Sequence, residues 1–292
     1  MSESVIADFV AKFNSESTAR GKPAKGRVVL SQKRLVLAAN SEEKATIPLS
    51  SVFDIAVGHV PDDMGEFFDA TVTIAFERNG NRYVAAVEAG DDKIDKFSTV
   101  LFKAILNGTD VTIKHPARLG GRVTDREYVP AKLFLQPKRV RFKKADESVD
   151  IGLSTVTEFS RSSRKIAGAK RPVLEVRHME QGQSMLTMVA TDSPRKMSIL
   201  GRYLRLEYSD LMTDLKDVEI TKEEKEVLVA LYSGAGEKGL SLANVVGKEP
   251  QKVTMVLNRL EEDELVVDSK QGTKLTPKGQ VVVSNHLEDV NS

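Results

Sequence analysis

One stretch of this chain occurs twice, and that duplication constrains its fold more than any other feature. Gly26-Arg-Val-Val-Leu-Ser-Gln-Lys-Arg-Leu-Val-Leu37 is followed by Ile47-Pro-Leu-Ser-Ser-Val52, and Ala131-Lys-Leu-Phe-Leu-Gln-Pro-Lys-Arg-Val-Arg-Phe142 by Ile151-Gly-Leu-Ser-Thr-Val156. Leu30, Lys33, Arg34, Leu35 and Leu37 recur as Leu135, Lys138, Arg139, Val140 and Phe142 at an offset of 105, and Ile47, Leu49, Ser50 and Val52 recur as Ile151, Leu153, Ser154 and Val156 at 104. A solenoid repeats every few tens of residues, so this spacing fits two copies of one domain. In 292 residues that leaves room for a third unit. The expected division is 1–110, 111–218 and 219–292.

Each copy reads as strands closed by a helix. Val28–Leu30 and Leu35–Leu37 flank a polar Ser31-Gln-Lys-Arg34 turn, a hairpin pattern. Strands follow at Thr71–Phe76 and Tyr83–Val87, joined by Asn79-Gly80, a tight-turn signal. Asp91 or Asp92 is expected to cap a helix with Ile94, Phe97, Leu101 and Ile105 on one face. In the second copy, strands near Val173–Val176 and Met185–Val189 precede Asp192-Ser-Pro194, a helix start, with Met197, Leu200, Leu204 and Leu211 facing inward. A small curved antiparallel sheet finished by one helix describes a pleckstrin-homology-like β-barrel. The fold class expected is thus multi-domain α+β, with two such domains in tandem.

The last unit has a different texture. Thr221-Lys-Glu-Glu224 is a capping box before Val227, Leu228, Leu231 and Tyr232. Leu240–Val246 suggests a short second helix, and Glu249-Pro250 opens a third with Val253, Val256, Leu257 and Leu260 inward. Leu265-Val-Val267, a turn at Ser269–Gly272, and Lys274-Leu-Thr-Pro-Lys-Gly279 supply a β-wing and a last helix start. That order is a winged helix-turn-helix.

Reaction chemistry is sparse. There is no cysteine, which excludes disulfides, thiolate metal sites and a Cys nucleophile. His59, His115, His178 and His286 share no helical spacing, so neither metal nor general base is expected. Gly234-Ala-Gly-Glu-Lys-Gly239 matches the dinucleotide fingerprint by letter, but it follows a helix where the fingerprint requires a strand. No catalytic residue, cofactor or metal is therefore assigned, and no apolar run is long enough to span a membrane.

Charge is informative only in segments. The total of +1 divides into −3, +8 and −4 over the three expected units. DNA readers carry basic surfaces, so the acidic last unit favours a protein-docking winged helix over a transcription regulator. Candidate partner contacts there are Lys252, Val256, Arg259, Leu260, Lys270 and Lys274. In the middle unit Arg161, Arg164, Lys165, Lys170 and Arg171 occur without an acid between them, around Gly168 and Ser162-Ser163, and read as a basic loop. It is either solvated or a dock for an acidic protein or anionic lipid.

The motif Gly26–Leu37, followed by Thr46–Ile55, resembles the opening of the archaeal taxis adaptor family CheF, and the duplicated domain and winged tail extend that likeness across the chain. The resemblance implies a non-enzymatic cytoplasmic adaptor, recruited to the archaellum motor. Such an adaptor links a phosphorylated CheY-type response regulator to the motor switch proteins. Homodimerisation through the tandem sheets, no nucleic-acid partner and no membrane insertion complete the expectations. The alternatives left open are a DNA-binding regulator and a lipid-binding scaffold.

Overall fold

The computed structural model describes residues 3–17, 22–61, 64, 67, 69–180, 183–216, 220–235, 241–269 and 272–283. The molecule is α+β: two large antiparallel sheets, a two-stranded ribbon and a few helices. The first sheet is built from β1 (Val5–Ser15), β2 (Ala24–Ser31), β3 (Arg34–Ala38), β4 (Lys44–Pro48), β5 (Val52–Val57), β6 (Thr71–Arg78) and β7 (Asn81–Glu88), and α1 (Asp91–Leu106) follows it. The second contains β8 (Thr109–Leu119), β9 (Arg122–Val123), β10 (Val129–Gln136), β11 (Arg139–Lys143), β12 (Ser148–Gly152), β13 (Val156–Ile166), β14 (Ala169–Glu180) and β15 (Gln183–Ala190), and α2 (Pro194–Lys216) follows it.

The strand orders are β4-β3-β2-β1-β7-β6-β5 and β12-β11-β10-β8-β15-β14-β13, with β9 added to β8. These are one topology written twice, and the repeated residues build the same joint. A 3₁₀ turn follows β4 at Leu49–Ser51 and another follows β12 at Leu153–Thr155. The Leu49 N–H donates to the Lys33 carbonyl at 2.8 Å, and the Leu153 N–H to the Lys138 carbonyl at 2.9 Å. Ser51 and Thr155 hydroxyls each donate three residues back, to Pro48 and Gly152. Alternate apolar residues supply the cores: Val28, Leu30, Leu35, Leu37 and Ile47 in the first, Leu133, Leu135, Val140, Phe142 and Ile151 in the second, all buried.

Local signals account for most turns. Asn79 and Gly80 both take positive φ, 53° and 79°, in a two-residue loop between paired Arg78 and Asn81, the geometry that matches strand twist. Gly26 is required for a different reason: a Cβ there would lie 2.3 Å from the Ala38 carbonyl oxygen on β3. Two expectations need correction, and one strand, β1, was not anticipated. Gly90 is the N-cap of α1 and offers no side-chain cap, so Asp91 and Asp92 sit in the first turn, where they complement the helix dipole. β1 lacked a clean alternating signature because its N-terminal half is largely exposed. Residues 161–171 are not a loop but the distal part of the β13–β14 hairpin, turning at Ala167-Gly168 with φ 48° and 83°. Few inward apolar residues mark that arm, so no period-2 pattern was visible.

The chain divides into two compact units by its internal contacts: residues 1–110, 132–135 and 191–204, and residues 111–131, 136–190 and 205–292. In the first unit the opening turns of α2 pack beside the first sheet. Arg195 pairs with Glu77, Arg202 forks onto Asp54 at 3.1 Å, and Tyr203 lies 5.5 Å from Phe102. Within the second unit, the chain after residue 219 forms α3 (Lys222–Tyr232), α4 (Leu242–Val246), α5 (Pro250–Glu262), a ribbon of β16 (Val266–Ser269) and β17 (Gly272–Leu275), and a helical segment at 277–283. Val227, Leu228, Val253, Leu260, Leu265 and Leu275 fill its core.

Candidate docking site

The helical part of the second unit is built around its acidic first helix. Thr221 caps α3: its hydroxyl accepts the Glu224 N–H, and the Glu224 carboxylate accepts the Thr221 N–H at 2.7 Å. Glu224 is buried, and its second oxygen meets the Arg259 guanidinium of α5 at 3.1 Å. Two turns earlier on α5, Lys252 donates to Glu223 at 2.5 Å, and Lys248, before the helix, reaches Glu226 at 3.1 Å. The Lys252 hydrogen bond holds the Glu223 carboxyl below the usual carboxylate range.

That clamp redefines the candidate contacts. Lys252 and Arg259 fasten α5 to α3 and are not free rim charges. Leu260 is fully buried in the core, and Val256 packs partly buried against it, so Leu260 offers no surface to a partner. Lys274 on β17 is half-buried, opposite Val267, and Lys270 lies outside the described residues, as do Gly236 and Gly239 of the glycine motif. What α5 presents outward is Met255, 73% exposed, between exposed Gln251, Thr254 and Asn258. Val267 on the ribbon is also exposed, at 47%. The sequence carried a signal for Met255: two positions after inward Val253, it falls on the opposite side of the helix.

The second candidate surface is the β13–β14 arm. Arg164 stands opposite Arg171 and Lys165 opposite Lys170. Arg164 forks onto Glu175, which also accepts from the Ser162 hydroxyl. Burial pushes the Glu175 carboxyl up, but those hydrogen bonds outweigh it and keep it below the ordinary range. Arg161, Lys165 and Lys170 are exposed. All five basic residues singled out in the sequence are therefore brought to one hairpin.

The structure also joins two histidines that the sequence separates by 63 positions. His115 Nδ1 lies 2.8 Å and His178 Nε2 3.0 Å from the buried Thr187 hydroxyl, with the rings stacked at 5.8 Å. One hydroxyl can donate to one ring and accept from the other, an arrangement that accommodates two neutral imidazoles. Burial lowers each pKa to about 4. Among the described residues, no group of three or more His, Asp or Glu could hold a metal ion, and no helix is long and apolar enough to cross a membrane.

Comparison of the sequence with known families places this chain among the chemotaxis signal-transduction proteins. Residues 5–210 match the family of the archaeal chemotaxis signal transduction system protein F, and residues 219–288 match a domain family of unknown function. The chain is 46% identical over 291 residues to taxis protein CheF2 of Halobacterium salinarum, covering the whole of both chains. It is 32% identical to taxis protein CheF1 of the same organism, over 99% of each chain. The chain belongs to the archaeal CheF family.

Proposed function

We propose that this chain is a non-enzymatic adaptor of archaeal taxis, built from two pleckstrin-homology-like domains (1–110 and 111–218) and a winged helix (219–292). Its helical part takes up the activated, phosphorylated CheY-type response regulator, and its sheets relay the signal to switch proteins of the archaellum motor on the cytoplasmic side. The observation that carries the receiver assignment is Met255, 73% exposed at the middle of α5 and close in sequence to charges already spent on α3. A flexible, polarizable side chain held outward on a clamped helix is a contact for a protein surface. A DNA reader would need free cations on that helix, and Glu223 and Glu224 neutralise Lys252 and Arg259.

To transmit anything, the adaptor must bind the two states of the receiver with different affinity. The test is capture of CheY, with and without a phosphoryl mimic, by the full chain and by Met255→Asp combined with Val267→Asp. Loss of at least about tenfold in affinity for the activated receiver, with an unchanged melting curve, is expected. Undiminished capture by the double variant would remove the receiver from this face. Retention on DNA at moderate salt would favour the transcription-regulator reading instead.

A further inference from the structure

We propose that the outer edge of β13 accepts an extended acidic segment of a partner protein as an added strand. The inference rests on reading the second sheet as a partner-binding surface, and it specifies how the partner is held.

The duplication supplies an internal control. β5 and β13 are the terminal strands of equivalent sheets, yet β5 has 6 residues and β13 has 11. The short version suffices to end a sheet of this topology, so the basic extension is not required by the fold. The extension is nonetheless held in place. Ile166 is buried with Ala117, Val173, Leu186 and Met188, and Arg164 is fastened to Glu175 on that same face. The arm is thus preformed, which lowers the ordering cost of binding.

Its outer features point to an anionic strand. Among the described residues β13 pairs with β14 only and ends the sheet, leaving one row of backbone groups unmatched by another described strand. Near the start of β13, Tyr208 of α2 donates to the Thr157 carbonyl at 3.0 Å and its ring meets Phe159 edge-on, so the vacant edge begins beyond Phe159. Along the remaining Ser160–Ile166, residues 161, 163 and 165 share one face with Lys170, which stands opposite Lys165. Like charges placed directly across a ladder repel, and an added strand with carboxylates at alternate positions, about 5 Å from its neighbours, relieves that repulsion. The turn bears only Ala167, Gly168 and Ala169, so the arm has no large apolar side chain to insert into a bilayer. Charges on an edge strand also deter self-pairing, and the test separates that role from binding.

The probe is a fluorescent peptide of about twelve residues alternating Glu with Val, titrated into the full chain at low salt, beside a version N-methylated on every second amide in each of the two registers. Binding is expected, with at least about a tenfold loss on methylation in one register. Lys165→Glu with Lys170→Glu should cause a similar loss while the melting curve is unchanged. Equal binding of the methylated peptides would overturn strand addition and leave a charge-only partner surface. No peptide binding, or binding to phosphatidylserine vesicles alone, would overturn both the inference and the reading on which it rests.

Discussion

Arg259 and Glu224, 35 positions apart in sequence, meet at 3.1 Å as the tie between α5 and the capped start of α3. The carboxylate is buried and also completes the capping box with Thr221, so a single side chain ends one helix and anchors another. Glu224→Ala removes a cap and an ion-pair partner of Arg259, whose guanidinium stays solvated. It should cost about 1–2 kcal/mol in urea unfolding of the C-terminal helical part. Glu224→Gln, which keeps an acceptor for the cap, should cost less than the alanine variant. Equal losses would mean that charge contributes nothing here.

The duplicated joint makes an energetic prediction. Ile47 and Ile151 occupy equivalent strand positions, opposite Leu35 and Val140, and both are buried. Truncating either to Ala should destabilise its own sheet by about 2–4 kcal/mol, through lost burial and a residual cavity. Hydrogen exchange of each sheet's amides would report the loss locally.

Backbone approach sets a third expectation. A methyl group on Gly26 would clash with the Ala38 carbonyl oxygen, and one on Gly279 would stand 2.0 Å from the Leu265 carbonyl oxygen. Neither obstacle is a flexible side chain. Gly26→Ala and Gly279→Ala should each cost about 1–3 kcal/mol, read as a lowered denaturant midpoint. Gly90→Ala, with open space around its Cβ, should lower that midpoint less than either, losing only the N-cap preference for Gly over Ala.

Acid should unfold the second sheet through its histidine pair. His115 and His178 are held neutral by burial, with folded pKa values about 4 against an ordinary 6.5. The unfolded chain binds more protons between those values. Stability is therefore full above pH 6.5 and is lost as pH falls toward 4. The loss between about pH 7 and pH 5 should be about 2–4 kcal/mol, allowing for mutual interaction of the pair. Histidine C2-proton shifts followed by NMR would locate both titrations. A titration of either residue near 6.5 in the folded protein would contradict the assignment.

The sequence by itself determined the duplication, the alternating cores of β2 to β4 and β10 to β12, the Asn79-Gly80 turn and the capping box at Thr221. Each of these depends on residues close together in the chain, so spacing and turn chemistry reveal them. It also brought the five basic residues of 161–171 to notice, but read them as a loop, since Ile166 is the one buried position in that stretch and a single apolar residue leaves no alternating trace. Only tertiary structure decided which charges were free. Lys252 and Arg259 looked like surface contacts until α3 brought Glu223 and Glu224 against them, while Met255 gained its importance by what fails to cover it. The histidines tell the same story: scattered along the chain, they meet at Thr187 because β8, β14 and β15 lie side by side. Pairing between distant residues follows strand order and helix packing, which local pattern does not encode, and those contacts fix which polar groups are spent internally and which remain for a partner.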